Sequence, residues 1–242
     1  MKNSFWINRA KKYDSLNGLN DLKYIEAFIS STDFSKNDVV LDVGTGTGII
    51  ANALAPLVKE VIGIDSSQDM LKCNDWRCNV SFVKRDIREP LLCEEFFDKV
   101  TARLVFHHII DKTQKAMDEC YRVLKNWGKM VLSEAVPPCP EIRDEYAEIF
   151  KVKEERLVFL EEDLVDLMRK SMFKNISVLS YVTPNFSVKN WLKNSGLTQK
   201  KQNKIFMMHI KGSESFKQSY NMKLQNDDCL IDVKYLILVG KK

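Results

Sequence analysis

At 242 residues, with 45% hydrophobic content and a formal net charge of +4, the chain is long enough for one large domain or two small ones, and apolar enough for a packed core. The charge excess is too small to argue for nucleic-acid binding, since most Lys and Arg alternate with Asp and Glu as on solvated helix faces. No apolar run approaches the ~18 residues of a membrane span. The N-terminus lacks the apolar core of a signal peptide, and six scattered cysteines form no C-x-x-C pair. A cytoplasmic chain is expected, with reduced thiols and neither a membrane nor a metal partner.

Residues 4–30 read as helical, and the stretch after Asp21 shows Leu22, Ile25, Ala27, Phe28 and Ile29 on a broad apolar face. A polar break over 32–37 precedes VVLDVGTGTGII at 39–50. Apolar, β-branched residues lead into Gly44-Thr45-Gly46-Thr47-Gly48, and helix is expected from Ile49: strand, glycine turn, helix. Three of the nine glycines fall within five positions here, which suggests backbone that turns sharply or lets a ligand approach. A dinucleotide fingerprint is G-x-G-x-x-G, whereas this loop is G-x-G-x-G. Asp42 sits two residues before the first glycine. VIGID at 61–65 is a second strand ending in Asp65, which follows Gly44 by 21 residues. A carboxylate at that strand tip can accept hydrogen bonds from both hydroxyls of a ribose.

Loop and carboxylate together resemble the first two motifs of the class I S-adenosylmethionine-dependent methyltransferases. The resemblance extends over roughly residues 1–135 and again over the C-terminal strands. Within the family it is nearest to the small-molecule methyltransferases, the group that includes quinone C-methyltransferases. It implies an α/β, Rossmann-like fold: a seven-stranded, mostly parallel sheet of order 3-2-1-4-5-7-6 with helices on both faces, in a single domain spanning 1–242. It also implies S-adenosylmethionine as cofactor and S-adenosylhomocysteine as product. Asp42, Gly44, Thr45, Gly46, Gly48, Asp65 and Ser66 would be cofactor contacts. In the family an N-terminal segment often covers the cofactor, so 1–30 is expected as a helical cover. Tyr13 is then either an aromatic at the methionine end or a packing residue.

Helix is expected over 49–58 and 66–74, and a third strand over 80–83. By the resemblance, Asp86 lies where the adenine amino group would be and Ile87 beside the ring; a solvated loop aspartate is the alternative. A fourth strand ends near Arg103, at the carboxyl edge where open α/β sheets bind ligands. Backbone near Arg103 would meet the methionine portion, with Phe106, His107 and His108 facing the methyl or the substrate. His107 and His108 are two of the three histidines in the chain and the candidate bases. A structural role for the pair is the competing reading, and successive side chains are expected to point in different directions, so that only one of the two faces inward.

A helix over 111–125 and a fifth strand over 129–135 follow. Beyond them the rhythm breaks. Helices are expected over 141–153 and 161–170, a sixth strand over 175–182, an irregular insertion with helical pieces over 183–227, and a last antiparallel strand over 229–239. Strands five and six both exit at the cofactor edge, so 136–160 and 183–227 are expected to form a cap or lid over the active site. Arg143, Phe206 and His209 are its candidate substrate contacts.

The function expected is methyl transfer by in-line displacement to a small, apolar or aromatic acceptor through O, C or N, in a monomer or homodimer. An RNA or protein methyltransferase would want an N-P-P-Y-type tetrapeptide after strand four, where this chain reads Leu104-Val105-Phe106-His107. A nucleotide-binding oxidoreductase or a non-catalytic cofactor-binding module is the reading from another class. A carboxylated form of the cofactor also stays open, because Arg103 could meet its extra charge.

Overall fold

The computed structural model describes residues 21–72, 77–90 and 93–242. Tyr13 lies outside the described residues, as does most of the expected 1–30 cover. What is described of that cover is helix α1 (Leu22–Ser30), capped by Asp21. Asp21 Oδ1 accepts from the amides of Lys23 (3.1 Å) and Tyr24 (3.3 Å). Its Oδ2 accepts from the hydroxyls of Tyr181 (3.1 Å) and Thr183 (2.9 Å), which ties the helix start to a distant strand. Tyr24, Ile25 and Phe28 are buried, whereas Leu22, expected on the apolar face, is 78% exposed because it opens the helix outside that stripe.

Strand β1 (Val39–Val43) is buried at every position, the pattern of a parallel strand covered on both faces. It pairs in parallel with β2 (Glu60–Asp65) and β4 (Phe97–Arg103). Strand β3 (Val80–Lys84) flanks β2, and β5 (Leu124–Val136) flanks β4. Strand β8 (Asp228–Lys241) runs antiparallel between β5 and β6 (Lys174–Ser187). The order is β3-β2-β1-β4-β5-β8-β6, the expected order with β8 as its seventh member. A short β7 (Lys223–Gln225) pairs with the start of β8 and makes the sheet eight-stranded; the sequence reading left it inside the irregular insertion.

Alternation along the strands divides the core. Val40, Val131 and Ile237 face the layer of α1 and α2 (Ile49–Leu54). Their neighbours Leu41, Leu132 and Leu238 face the layer of α4 (Thr113–Val123) and α6 (Glu161–Lys170), where Met117 and Leu164 are fully buried. Each such side chain contributes about 1.5–3 kcal/mol by leaving water. Helix α3 is the short Gln68–Leu71 after β2.

A third apolar cluster gathers α5 (Arg143–Lys153), α7 (Val188–Lys193), α8 (Gln199–Ile210) and α9 (Glu214–Ser219) around Tyr146, Ile205, Phe216 and Ile231. The expected insertion does not begin at 183. Strand β6 continues to Ser187, pairing Phe186 with Ile231 and Ser187 with Leu230 after a register shift between Thr183 and Phe186. Pro184 lies in that shift and has no amide to give to the ladder. The ends of β6 and β8 thus carry this helical layer.

Candidate active site

The glycine loop leaves β1 with all three glycines in the left-handed region: φ is +64° at Gly44, +57° at Gly46 and +79° at Gly48. A Cβ on Gly44 would sit 2.2 Å from Val105 Cγ2, and one on Gly46 3.3 Å from Met70 Cε. Thr45 N donates to Ile64 O (3.0 Å), binding the loop to β2. At the tip of β2, Asp65 accepts from Gly46 N (3.0 Å, Oδ2) and Ser67 N (2.8 Å, Oδ1). Each oxygen retains a lone pair for a further donor. Burial raises the Asp65 carboxyl above the usual range, against these two amides. A cavity of about 510 Å³ opens here, lined by Gly44, Gly46, Asp65, Ser66, Asp86 and Ile87, and on its far side by Leu104, Val105 and His108. Asp86 is gripped by Arg88 through Nε (2.9 and 3.1 Å) and Nη2 (2.6 Å), which holds it below the usual carboxylate range.

Below the loop, Asp42 is buried. Its Oδ1 accepts from Thr101 Oγ1 (2.7 Å), while Oδ2 has no partner. Burial pushes its pKa up to about 6. A small cavity of about 20 Å³ lies beside it, bordered by Arg103 and the glycine loop.

After β4 the chain turns abruptly. Leu104 has φ +59°, strained for a leucine, and is held by its amide donating to Ser133 O (2.8 Å). Residues Phe106–His108 then form a 3₁₀ turn. Here the expectation that only one histidine faces inward fails. The tight turn brings the two rings to 4.0 Å between centroids, and both line a second, inner cavity of about 120 Å³. His107 is buried, and its Nδ1 lies 2.5 Å from Glu134 Oε2. Glu134 Oε1 accepts from the amides of Phe106 (2.7 Å) and His107 (3.3 Å). Burial of Glu134 raises its carboxyl, opposed by the Arg156 charge and those amides. The remaining walls of the inner cavity combine aromatic side chains (Tyr146, Phe150, Phe186, Trp191, Tyr220 and Tyr235) with aliphatic ones such as Ile149 and Ile231, joined by Lys153, Glu154, Arg156 and His209. Leu104 and His108 belong to both cavities.

Residues 41–132 match the model of a family described as a methyltransferase domain. Over 137 residues the chain is 33% identical to a demethylmenaquinone methyltransferase of Thermotoga maritima, a match covering 53% of this chain and 59% of that one. It is 30% identical over 135 residues to a ubiquinone biosynthesis O-methyltransferase of Coxiella burnetii, covering 53% and 56%. The chain thus spans between half and two thirds of these relatives. The structure of YcgJ from Bacillus subtilis superposes with a TM-score of 0.80 at 21% identity, over 91% of this chain and 98% of that one. Residues 41–132 are thus similar to a methyltransferase domain, and the chain shares the fold of YcgJ.

The residues present fit S-adenosylmethionine, the cofactor that the sequence resemblance implies. Side chains at Gly44 and Gly46 would crowd or fill the cradle, Asp65 keeps two lone pairs toward the larger cavity, and the buried Oδ2 of Asp42 has no partner. Asp65, Ser66, Asp86 and Ile87 share one cavity wall, whereas Asp42, Thr45 and Arg103 border the small cavity under the loop. Gly48 turns the chain into α2, its amide donating to Thr45 O (2.9 Å).

The structure separates the other candidates. Phe106 does not face either cavity; it is fully buried in the core beneath the turn, because its side chain points opposite to the histidines. Arg143 is turned outward to Asp163 Oδ2 (2.9 Å) and Val158 O (2.9 Å). Phe206 packs within the helical layer, with Lys189 over its ring at 5.6 Å. His209 lines the inner cavity; its Nδ1 meets Ile205 O (2.9 Å), and burial lowers its pKa. Glu134, Lys153, Glu154 and Arg156 were not singled out by sequence. Among the described residues, ligand atoms of His107, His108 and Glu154 lie within 4.8 Å of one another, close enough to hold a cation. The ammonium of Lys153 is already bonded to Glu154, and Arg156 lines the same cavity, so the local charge opposes a metal ion.

Proposed function

We propose that the protein transfers the methyl group of S-adenosylmethionine to a small acceptor held in the inner cavity, with His107 taking the acceptor's proton. The observation that carries this reading is that Leu104 and His108 line both cavities, so the nucleoside-type site and the aromatic site meet at one point. Gly44, Gly46, Asp65 and Asp86 would hold S-adenosylmethionine in the larger cavity, where its sulfonium would supply the methyl group for in-line displacement by the acceptor. The protein contributes alignment, worth roughly 7–11 kcal/mol when two reactants are held together.

His107 Nδ1 shares its proton with Glu134, which leaves Nε2 as the ring nitrogen to receive a proton. Two observations support the reading of 136–160 and 183–227 as a cap. Glu155 lines the cofactor cavity and its neighbours Glu154 and Arg156 the inner one; α5, α7 and α8 supply Tyr146, Trp191 and His209 to the same walls. In this reading the enzyme works in the cytoplasm on a small molecule without nucleic acid; among the described residues no helix is long and apolar enough to cross a membrane.

Calorimetric titration with S-adenosylmethionine, S-adenosylhomocysteine and NADH tests the cofactor reading. Both sulfur nucleosides are expected to bind, NADH is not, and Asp65→Ala is expected to lose the binding. Absence of binding by either nucleoside would sink the assignment.

A further inference from the structure

The inner cavity has a size and a charge that together select an occupant. Its volume is about 120 Å³. An engineered apolar cavity of about 150 Å³ holds one benzene, so this space suits a single ring. Six Phe, Tyr and Trp side chains stand in its walls, and such rings are suited to two kinds of ligand: a flat ring or a cation.

The cation role is already filled from within the chain. The Arg156 guanidinium lies 4.2 Å from the centroid of Phe150, and Lys153 Nζ lies 5.6 Å from Phe150 and 5.5 Å from Trp191. A substrate ammonium would have to displace these groups and lie beside them. Lys153 has a counterion in Glu154. Arg156 differs: among the described residues no carboxylate comes within ion-pair distance of it, and its Nε donates to Leu157 O at 3.3 Å. The nearby acid that feels its field is Glu134, whose two oxygens are occupied by the Phe106 and His107 amides and by His107 Nδ1. A half-buried guanidinium facing an aromatic cavity without a bonded anion is an incomplete pair.

From this we infer that the inner cavity takes a single-ring acceptor bearing a carboxylate or comparable anionic group bound by Arg156, its nucleophile turned toward His107 and His108. The inference rests on the reading of this cavity as the acceptor site. It excludes an ammonium-bearing acceptor, and it leaves room for a long substituent only outside the cavity.

The test is titration calorimetry of the protein, with and without saturating S-adenosylhomocysteine, against 4-hydroxybenzoate, phenol and benzylamine. The 4-hydroxybenzoate is expected to bind about ten- to one-hundred-fold tighter than phenol, the scale of one hydrogen-bonded charge pair, and benzylamine weakest. Arg156→Met is expected to erase the preference for 4-hydroxybenzoate while leaving S-adenosylhomocysteine binding within about two-fold; Arg156→Lys is expected to keep part of it. Retained nucleoside binding shows that each variant is folded. Equal binding of phenol and 4-hydroxybenzoate, preference for benzylamine, or a preference that survives Arg156→Met would each overturn the inference. Failure of the cofactor reading is separate, because it appears as loss of S-adenosylhomocysteine binding in the unmodified protein.

Discussion

The imidazole Nδ1 of His107 and the carboxylate Oε2 of Glu134 stand 2.5 Å apart in a buried setting, the former on the turn after β4 and the latter on β5. The carboxylate fixes the ring's orientation and favours its charged form, which suits a base whose other nitrogen receives a proton. His107→Ala is therefore expected to lower kcat by about 10²–10⁴-fold with little change in affinity for S-adenosylhomocysteine. Steady-state kinetics beside nucleoside titration checks this; an unchanged kcat would remove His107 from the chemistry.

The pair also sets a pH dependence. Transfer needs the proton-accepting form, so kcat is expected to rise as pH climbs through the apparent titration of the pair. Glu134→Gln removes the anion that favours the imidazolium. Its rising limb is expected at lower pH and its plateau below that of the parent. A pH profile for both proteins decides it, and superposable profiles would contradict the coupling.

Asp42 links stability to the site. Its carboxyl binds a proton more tightly in the folded protein, at about 6 against 3.8 for an ordinary aspartate. This group therefore favours folding at low pH, and its contribution is lost as pH rises from about 4 through 6. At pH 7 the cost is about 3 kcal/mol. Asp42→Asn is expected to be more stable than the parent at pH 7, with the difference shrinking toward pH 4, and to bind S-adenosylhomocysteine less well. Urea unfolding at the two pH values measures the first part and calorimetry the second.

Gly44→Ala and Gly46→Ala separate fold from ligand. At Gly44 a methyl meets Val105 at 2.2 Å on a backbone with φ +64°, so about 2–4 kcal/mol of stability should go along with cofactor binding. At Gly46 the nearest atom is the movable end of Met70 at 3.3 Å, so only the backbone strain at φ +57°, about 1–2 kcal/mol, falls on stability, and the larger loss is expected in cofactor binding. Thermal unfolding with nucleoside titration distinguishes the two.

Sequence carried the cofactor half of the site because its constraints are local. Gly44, Gly46 and Asp65 belong to one strand-turn-helix-strand unit, and the requirement for positive φ is written in the residue type itself. The half proposed to hold the acceptor was not legible in this way. Glu134 follows the apolar run Met130-Val131-Leu132 near the end of β5, where a carboxylate reads as solvent-facing; its hydrogen-bond partners come from the turn at Phe106 and His107, 28 and 27 residues earlier in the chain. Arg156 lies in an aperiodic segment whose position follows from contacts with distant parts of the chain, the Leu157 N bond to His107 O among them. The histidines were found, but their common direction comes from a 3₁₀ turn that alternation does not predict, and the same turn sends Phe106 into the core. The length of β6 beyond Val182 was hidden by Pro184, which sits at an irregularity rather than an end.

One backbone bond carries a consequence for turnover. Leu157 N donates to the carbonyl of His107 at 2.9 Å, fastening the stretch between α5 and α6 to the turn that carries both histidines. Any motion that lifts that stretch to admit an acceptor or discharge a product must part this bond and loosen the turn. On the proposed reading of His107 and the cap, admission and proton withdrawal then belong to different states of the molecule: an open door goes with a slack base, and a seated base with a shut one.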